Sequence, residues 1–227
     1  MNTNAKRIYD MFEFEFNIAD NIYSFFTREK KDHTALLSKE HSLINTYSQK
    51  RIVDFATGRY CARQALGKLG ITSCEILLGK YREPIWPIGI VGSISHSDSL
   101  TGAIVAKNKD FHSIGIDIET IGFVKRDLWD ILFTNNEKKI LSSLSDNEAD
   151  IYSSVLFSMK ECFYKMQFPL SKTLLDFTCV EITKNNQCFE LNVVANLPTK
   201  YIIPKPTNLF FRKTVNNEIV SFSYMQI

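Results

Sequence analysis

A short segment with isoleucine at every second position constrains the fold of this 227-residue chain most strongly. Residues 113–119 read Ser-Ile-Gly-Ile-Asp-Ile-Glu, an alternation that is typical of a β-strand. Because successive strand side chains point to opposite faces, Asp117 and Glu119 share one face with Gly115, and the isoleucines share the other. The pattern predicts a buried isoleucine face, with two carboxylates roughly 7 Å apart on the non-buried face.

Two carboxylates in this arrangement repel each other. A divalent cation that prefers oxygen ligands, such as Mg²⁺, would relieve that repulsion. Taken alone, the two acidic residues are better explained as charges that discourage an edge strand from pairing with another chain. The metal-site hypothesis therefore requires a further ligand elsewhere in the sequence.

A helical pattern between residues 150 and 167 supplies that ligand. Its apolar positions recur at spacings of three and four, at Ile151, Val155, Met159, Cys162 and Met166. Glu161 and Lys165 lie one turn apart on the opposite face, together with Phe157 and Tyr164. The alternative explanation is that Glu161 and Lys165 form an ordinary surface ion pair, which stabilises the helix by about 0.2–0.5 kcal/mol. The two aromatic rings favour a covered site, in which Glu161 would join the strand carboxylates around a metal.

A segment rich in small and hydroxyl residues precedes the acidic strand. Residues 91–97 read Val-Gly-Ser-Ile-Ser-His-Ser and predict a loop whose backbone amides can approach an anion. Ser95 and His96 would donate hydrogen bonds to a phosphate. An ordinary turn is the alternative explanation.

An arginine-bearing helix is predicted further upstream. It runs from about Lys50 to Lys68 and is stopped by Gly70. Arg51 and Arg59 lie within it, and guanidinium groups bind phosphate oxygens in pairs. Without a phosphate-handling site, these would be solvated helix arginines.

Taken in order, these segments resemble the 4′-phosphopantetheinyl transferases, in the branch typified by the phosphopantetheinyl transferase component of enterobactin synthase. Five motifs between about Arg51 and Phe177 carry the resemblance. They are Arg51-x-x-x-Phe55-x-x-Gly58-Arg59-x-x-Ala62-Arg63-x-Ala65-Leu66, Arg82-Glu83-Pro84-x-Trp86-Pro87, Gly92-Ser93-Ile94-Ser95-His96, Gly115-Ile116-Asp117-Ile118-Glu119 and Phe157-Ser158-x-Lys160-Glu161-x-x-x-Lys165.

The resemblance implies a role for each matching residue. Mg²⁺, or Mn²⁺ in its place, would be held against the pyrophosphate of coenzyme A by Asp117, Glu119 and Glu161. Coenzyme A would be bound by Arg51, Arg59, Arg82, Ser95, His96, Lys160 and Lys165. Relatives place a lysine before the proline that matches Pro84, and Arg82 or Lys80 would supply that charge here. Glu161 is the expected general base, directly or through a metal-bound water, and Lys165 would neutralise charge on the pyrophosphate or assist the leaving group.

The implied reaction transfers 4′-phosphopantetheine from coenzyme A to a serine of an apo acyl or peptidyl carrier protein and releases 3′,5′-ADP. The similar branch points to siderophore or other secondary-metabolite synthases. The implied fold is α+β, with two similar halves related by a pseudo-twofold and the active site in the cleft between them. We place these halves at residues 1–107 and 108–227 and expect a monomer. Helices and strands that alternate without a strict βαβ rhythm also favour α+β.

Two other classes of protein fit the same residues. A metal-dependent phosphohydrolase or nuclease could use the carboxylates to direct water at a phosphate ester. A binding module could recognise carrier domains or nucleotides without chemistry, although the acidic trio and Lys165 argue for catalysis. The net charge of +2 is too small to indicate a nucleic-acid partner.

Composition indicates an ordinary globular protein, with 44% hydrophobic and 23% charged residues. Five cysteines without metal-ligand spacing predict reduced thiols and a cytoplasmic location. We recognise no signal-peptide pattern and no apolar run near the roughly 20 residues of a membrane span.

Several further elements are predicted from local patterns. Met11–Phe16 alternates as a strand, and a turn at 108–110 is expected to close a hairpin between Thr101–Ala106 and the acidic strand. Thr134 and Glu137 have the spacing of a capping box, which makes Glu137 structural. The second main helix is expected to begin near Asn147 and stop near Pro169. Later strands are predicted at Thr178–Ile182, Cys188–Val194, Leu209–Lys213 and Ile219–Met225.

Overall fold

The computed structural model describes residues 13–14, 16–185, 188–195, 204–214 and 216–227. The chain divides into two compact units, residues 1–110 and 111–227. The sequence-based division lay three residues earlier, at 107/108. Each unit combines helices with antiparallel sheet, so the predicted α+β class is confirmed. Among the described residues, no helix has the length and apolarity needed to cross a membrane.

The first unit is built around the arginine-bearing helix, α2, which spans Gln49–Gly67 and follows a short helix α1, Ser38–His41. Ser48 caps α2 by accepting a hydrogen bond from the backbone N–H of Arg51. Gly70 has φ +76°, the left-handed backbone that ends helices, so the predicted helix and its stop are confirmed.

A four-stranded antiparallel sheet completes the first unit. Its strands are β1 (Glu13–Phe14), β2 (Ile22–Thr27), β3 (Ile90–His96) and β4 (Thr101–Lys107), in the order β1-β2-β4-β3. Small α2 residues pack on this sheet, with Cys61, Ala62, Ala65 and Leu66 buried against Ile76, Ala103 and Val105. The prediction of a loop at 91–97 is wrong, because residues 90–96 pair with β4 along their whole length. Of the strand predicted at 11–16, residues 11, 12 and 15 lie outside the described residues.

The second unit begins with the acidic strand β5, Phe111–Thr120. Three helices follow, α3 (Trp129–Leu132), α4 (Asn135–Ser142) and α5 (Asp146–Ser171). The remaining strands are β6 (Val180–Asn185), β7 (Cys188–Val193), β8 (Asn208–Lys213) and β9 (Glu218–Gln226). They form the sheet β5-β9-β8 and the hairpin β6-β7. The four strands predicted in this region are confirmed within about two residues at most ends.

The predicted hairpin between Thr101–Ala106 and the acidic strand is wrong. The chain does turn at 108–110, where the Asp110 N–H donates to the carbonyl of Lys107. However, β4 pairs with β2 and β3, whereas β5 pairs with β9. The turn therefore joins strands of two different sheets, and it lies where the two units divide.

Helix α5 covers the acidic face of β5 at very close range. A Cβ atom added at Gly115 would lie 2.1 Å from the Cys162 carbonyl oxygen, so only glycine permits this approach. Gly115 and Asp117 are thus buried, with Asp117 only 2% accessible, whereas Glu119 is partly accessible. The expectation that the Asp117 carboxylate projects from a non-buried face is wrong, although Ile114, Ile116 and Ile118 are buried as predicted.

In the second unit, α5 ends later than predicted, whereas the predicted start of α4 is confirmed. Helix α5 continues through Pro169 to Ser171, where Lys172 adopts a left-handed backbone and caps it. Its predicted stop near Pro169 was therefore two residues early. The capping box of Thr134 and Glu137 is confirmed at the start of α4.

Candidate active site

The acidic cluster of the second unit consists of Asp117, Glu119, Glu161 and Lys165. Asp117 and Glu119 come from the face of β5 that α5 covers, and Glu161 and Lys165 come from α5. The ammonium Nζ of Lys165 lies 2.6 Å from Asp117 Oδ1. The Lys165 side chain is 30% accessible and that of Asp117 is 3% accessible. Strand and helix thus converge on one partly open site.

Burial and neighbouring carboxylates raise the pKa values of Glu119 and Glu161 in this cluster. Burial, together with the charges of Asp117 and Glu161, raises the pKa of Glu119 to about 8, against the opposing effect of Lys165. Burial also raises the pKa of Glu161; Lys165 lowers it and Asp117 raises it further. Burial alone would lower the pKa of Lys165, but the charges of Asp117 and Glu161 outweigh it and raise that pKa. The cluster would bind an additional positive charge favourably.

The oxygen atoms of this cluster determine whether it can bind a divalent cation. Among the described residues, no group of three or more His, Cys, Asp or Glu side chains is already gathered as a metal site. Mg²⁺, however, is commonly held by one or two carboxylates, with substrate phosphates and water as its other ligands. The hydroxyl of Ser221, opposite Asp117 in the β5–β9 ladder, is buried and makes no hydrogen bond to the part of the chain that the structure describes. Crowded carboxylates beside this hydroxyl fit a hard, oxygen-seeking cation.

A basic cluster lies on the first unit and contains Arg51, Arg82 and His96. The Arg82 guanidinium donates to the Tyr47 hydroxyl at 2.9 Å. The guanidinium carbons of Arg51 and Arg82 lie 5.7 Å and 5.4 Å from the centre of the Tyr47 ring. Nη1 of Arg51 is 3.5 Å from Nε2 of His96. Two exposed guanidinium groups on one ring repel each other, so an anion such as phosphate would stabilise them.

Asp54 is a buried carboxylate that contacts the basic cluster through His96. Its carboxylate is 7% accessible, with Oδ2 3.9 Å from Nδ1 of His96 and Oδ1 3.4 Å from Nζ of Lys30. Lys30 also donates to the carbonyl of Ser97 and the hydroxyl of Thr101. Asp54 was not predicted from the sequence, because its partners His96 and Lys30 lie outside α2 and are brought to it only by the fold.

Two predicted coenzyme A contacts are buried in the first unit. Arg59 is 4% accessible, donates from Nε to the carbonyl of Ile76 at 2.7 Å, and stacks 4.1 Å from the centre of the Phe55 ring. Burial lowers its pKa to about 10. Ser95 is 5% accessible within β3. Their assignment to coenzyme A stays a prediction.

Lys160 does not have the surroundings expected of a coenzyme A contact. Its ammonium group is fully buried and lies 2.6 Å from Glu137 Oε2. It also donates to the carbonyls of Leu132 and Phe177, each at 2.9 Å. These three acceptors use the three donors of a lysine. We therefore correct the predicted role: Lys160 joins α5 to the segments that contain Leu132, Glu137 and Phe177.

The aromatic residues predicted near Glu161 are covered by the segment after α5. The Phe157 ring stacks on Phe177 with centroids 5.5 Å apart, and Tyr164 meets Phe177 edge-on at 5.1 Å. The Tyr164 hydroxyl donates to the Asp176 carbonyl at 3.0 Å. The covered environment inferred from these rings is therefore present.

Family models match both units of the chain. The model of the 4′-phosphopantetheinyl transferase N-terminal domain matches residues 39–106. The model of the 4′-phosphopantetheinyl transferase superfamily matches residues 113–200. Together these regions contain every residue of the acidic and basic clusters.

Curated relatives agree with these matches. The chain is 36% identical to 4′-phosphopantetheinyl transferase Svp of Streptomyces mobaraensis, over 69% of this chain and 65% of that protein. It is 35% identical to 4′-phosphopantetheinyl transferase Npt of Nocardia iowensis, over 70% and 68% respectively. Enterobactin synthase component D of Salmonella typhi is 29% identical, over 73% and 69%. The chain spans just under two thirds of the first of these relatives.

This chain belongs to the 4′-phosphopantetheinyl transferase superfamily. Its similarity to enterobactin synthase component D confirms the branch indicated by the sequence motifs. A solved holo-[acyl-carrier-protein] synthase of Thermotoga maritima is 17% identical over 49% of this chain and 61% of that one, with a TM-score of 0.36. The assignment rests on the sequence matches.

Proposed function

We propose that this protein transfers 4′-phosphopantetheine from coenzyme A to a serine of an apo acyl or peptidyl carrier protein and releases 3′,5′-ADP. The observation that carries the proposal is the 2.6 Å contact between Lys165 and Asp117 within the acidic cluster. It joins the acidic strand to the Lys-Glu-x-x-x-Lys helix, two motifs that lie in the region matched by the superfamily model. Phosphoryl transfer depends mainly on such positioned charge.

The proposed metal is Mg²⁺, with Mn²⁺ able to replace it. Asp117, Glu119 and Glu161 would hold it, and it would supply stabilisation for the negative charge on the pyrophosphate. Glu119 and Glu161 would then be held in their charged forms, against the burial that now raises their pKa values.

Glu161 is the proposed general base. A serine hydroxyl is a weak nucleophile unless a nearby group accepts its proton. Glu161 comes from the same helix as Lys165 and belongs to the acidic cluster, so its carboxylate is the one proposed to accept that proton. As the serine oxygen bonds to the β-phosphorus, the proton passes to Glu161. The bond from that phosphorus to the bridging oxygen breaks, and 3′,5′-ADP leaves with this oxygen.

Lys165 and the basic cluster would bind the phosphates. Lys165 lies beside the carboxylates and, at 30% accessibility, can reach a phosphate oxygen. On the first unit, Arg51, Arg82 and His96 are proposed to bind phosphates of coenzyme A. Arg82, or Lys80 nearby, would thereby supply the positive charge that the family resemblance implies before Pro84.

The partner is proposed to be a carrier domain of a siderophore or other secondary-metabolite synthase. The similarity to proteins named enterobactin synthase component D supports this choice. We further propose a monomer in the cytoplasm, with no nucleic-acid or membrane partner, in keeping with the net charge of +2.

Intact mass measurement of a carrier protein tests the proposed function. The protein is incubated with coenzyme A, Mg²⁺ and an apo carrier, while nucleotides are followed chromatographically. We expect the carrier to gain the mass of one phosphopantetheine, with one 3′,5′-ADP released per carrier. A carrier of unchanged mass would contradict the proposal. Coenzyme A cleavage without an adduct would indicate a phosphohydrolase, and binding alone would indicate a non-catalytic module.

A further inference from the structure

Ser221 lies directly beside the acidic cluster, yet no sequence motif pointed to it. In the antiparallel β5–β9 ladder its Cα atom is the partner of Asp117. Side chains of directly opposed residues in such a ladder project from the same face, with Cβ atoms about 4.5–5.5 Å apart. The Ser221 hydroxyl is therefore a neighbour of the Asp117 carboxylate.

This face of β9 is the one that α5 covers. Ser223, two residues further along and on the same face, donates from Oγ to the Cys162 carbonyl at 3.1 Å. Asp117 on the paired strand contacts Lys165 of the same helix. Ser221 thus lies between the sheet and α5, on the face of the sheet that carries Asp117.

The Ser221 hydroxyl is fully buried, with 0% accessibility, and its Oγ makes no hydrogen bond among the described residues. Buried hydroxyl groups almost always have a partner, and leaving one without a partner is costly. Alanine at this position would pack equally well in a small space without that cost. An unsatisfied hydroxyl beside a proposed cation site is therefore explained if its partner arrives with the ligand.

We propose that Ser221 is a positioning residue that donates a hydrogen bond to the oxygen atoms surrounding the bound cation, among them the carboxylate of its cross-strand neighbour Asp117. Carboxylates that hold a metal are themselves oriented by hydrogen bonds, and loss of such a bond weakens metal binding. This inference rests on the proposed function, because it requires that the acidic cluster hold a divalent cation.

Mn²⁺ binding, measured separately from turnover, tests this inference. Free Mn²⁺ is followed by electron paramagnetic resonance during titration of the protein in saturating coenzyme A without carrier, with coenzyme A alone as the blank. We expect Ser221→Ala to weaken Mn²⁺ binding about tenfold. The melting temperature of the metal-free Ser221→Ala protein should equal or exceed that of the wild type, because a buried hydroxyl without a partner is removed.

Ser223→Ala is the matched control, because it removes a hydroxyl from the same face of the same strand. That hydroxyl already has partners within the protein, so its loss should lower the melting temperature and leave Mn²⁺ binding unchanged. Wild-type Mn²⁺ affinity in Ser221→Ala would overturn the inference, as would an equal loss of affinity in both serine variants. Asp117→Asn distinguishes failure of the Ser221 inference from failure of the proposed metal site. If Asp117→Asn also binds Mn²⁺ like the wild type, the proposed metal site itself is wrong.

Discussion

At the scale of single residues, the two lysines of the Lys-Glu-x-x-x-Lys motif have different surroundings. Lys165 is partly accessible and contacts Asp117, whereas Lys160 is enclosed with Glu137 and two carbonyl groups. The motif alone cannot separate these roles. Helical spacing places the two side chains on different sides of α5, but only the folded unit shows which side is closed.

Lys160→Met is expected to destabilise the protein, because Glu137 would remain buried without its cationic partner. Breaking such a pair from one side costs about 3–5 kcal/mol. The free energy of unfolding from denaturant titration measures the effect. Lys165→Met is expected to lose turnover, because it removes the partly accessible ammonium group of the acidic cluster. A Lys160→Met protein as stable as the wild type would contradict the structural role.

Glu161→Gln is expected to lower the rate of carrier modification about 10²–10⁴-fold, because the amide cannot accept the serine proton. The protein should remain folded by circular dichroism. Glu148→Gln is the control on the same helix, where Glu148 caps the N-terminus through Ser145 and glutamine can serve equally. Equal rates in Glu161→Gln and Glu148→Gln would refute the general-base role.

At the scale of elements, periodicity predicted which residues share a face better than which face is buried. The alternation of β5 correctly separated Ile116 from Asp117 and Glu119. It could not reveal that α5 would cover the carboxylate face, because that contact joins segments about forty residues apart. Gly115 was the sequence signal for this contact, because a glycine inside a strand indicates close approach by another backbone.

The segment containing Ser95 and His96 shows the opposite limit. Its glycine and serines have low strand propensity and predicted a loop. Pairing with the whole of β4 outweighed that preference, because tertiary contacts determine strand formation more than local sequence does. His96 nevertheless lies in the basic cluster, 3.5 Å from Arg51.

Gly115→Ala is expected to destabilise the second unit by about 1–3 kcal/mol or more, because the new methyl group would overlap the Cys162 carbonyl. Separation of β5 from α5 should also lower turnover, since each contributes carboxylates. Thermal unfolding and transfer rate measure both effects. Gly67→Ala is the control: that helical glycine has no atom within 4 Å of an added Cβ. It should be neutral or stabilising by about 0.4–1 kcal/mol, and comparable losses in both variants would contradict this account.

At the scale of the whole molecule, the sequence indicated the α+β class but not the strand pairing. Local turn signals at 108–110 suggested a hairpin, whereas β5 pairs with β9, which follows roughly a hundred residues later. Such long-range pairing leaves no local signal in one sequence. The family motifs were informative for the opposite reason, because chemistry fixes residue types and their order even where the connecting structure is hard to predict.

The central claim is that the acidic cluster holds a divalent cation that phosphopantetheine transfer requires. The most direct measurement is the transfer rate from coenzyme A to an apo carrier in a chelator such as EDTA, followed by titration with Mg²⁺, for wild type and Asp117→Asn. We predict no transfer in chelator, full recovery of the wild type with Mg²⁺, and a requirement for more Mg²⁺, with a lower maximal rate, in Asp117→Asn. Transfer that persists in chelator, or identical Mg²⁺ curves for both proteins, would contradict the account.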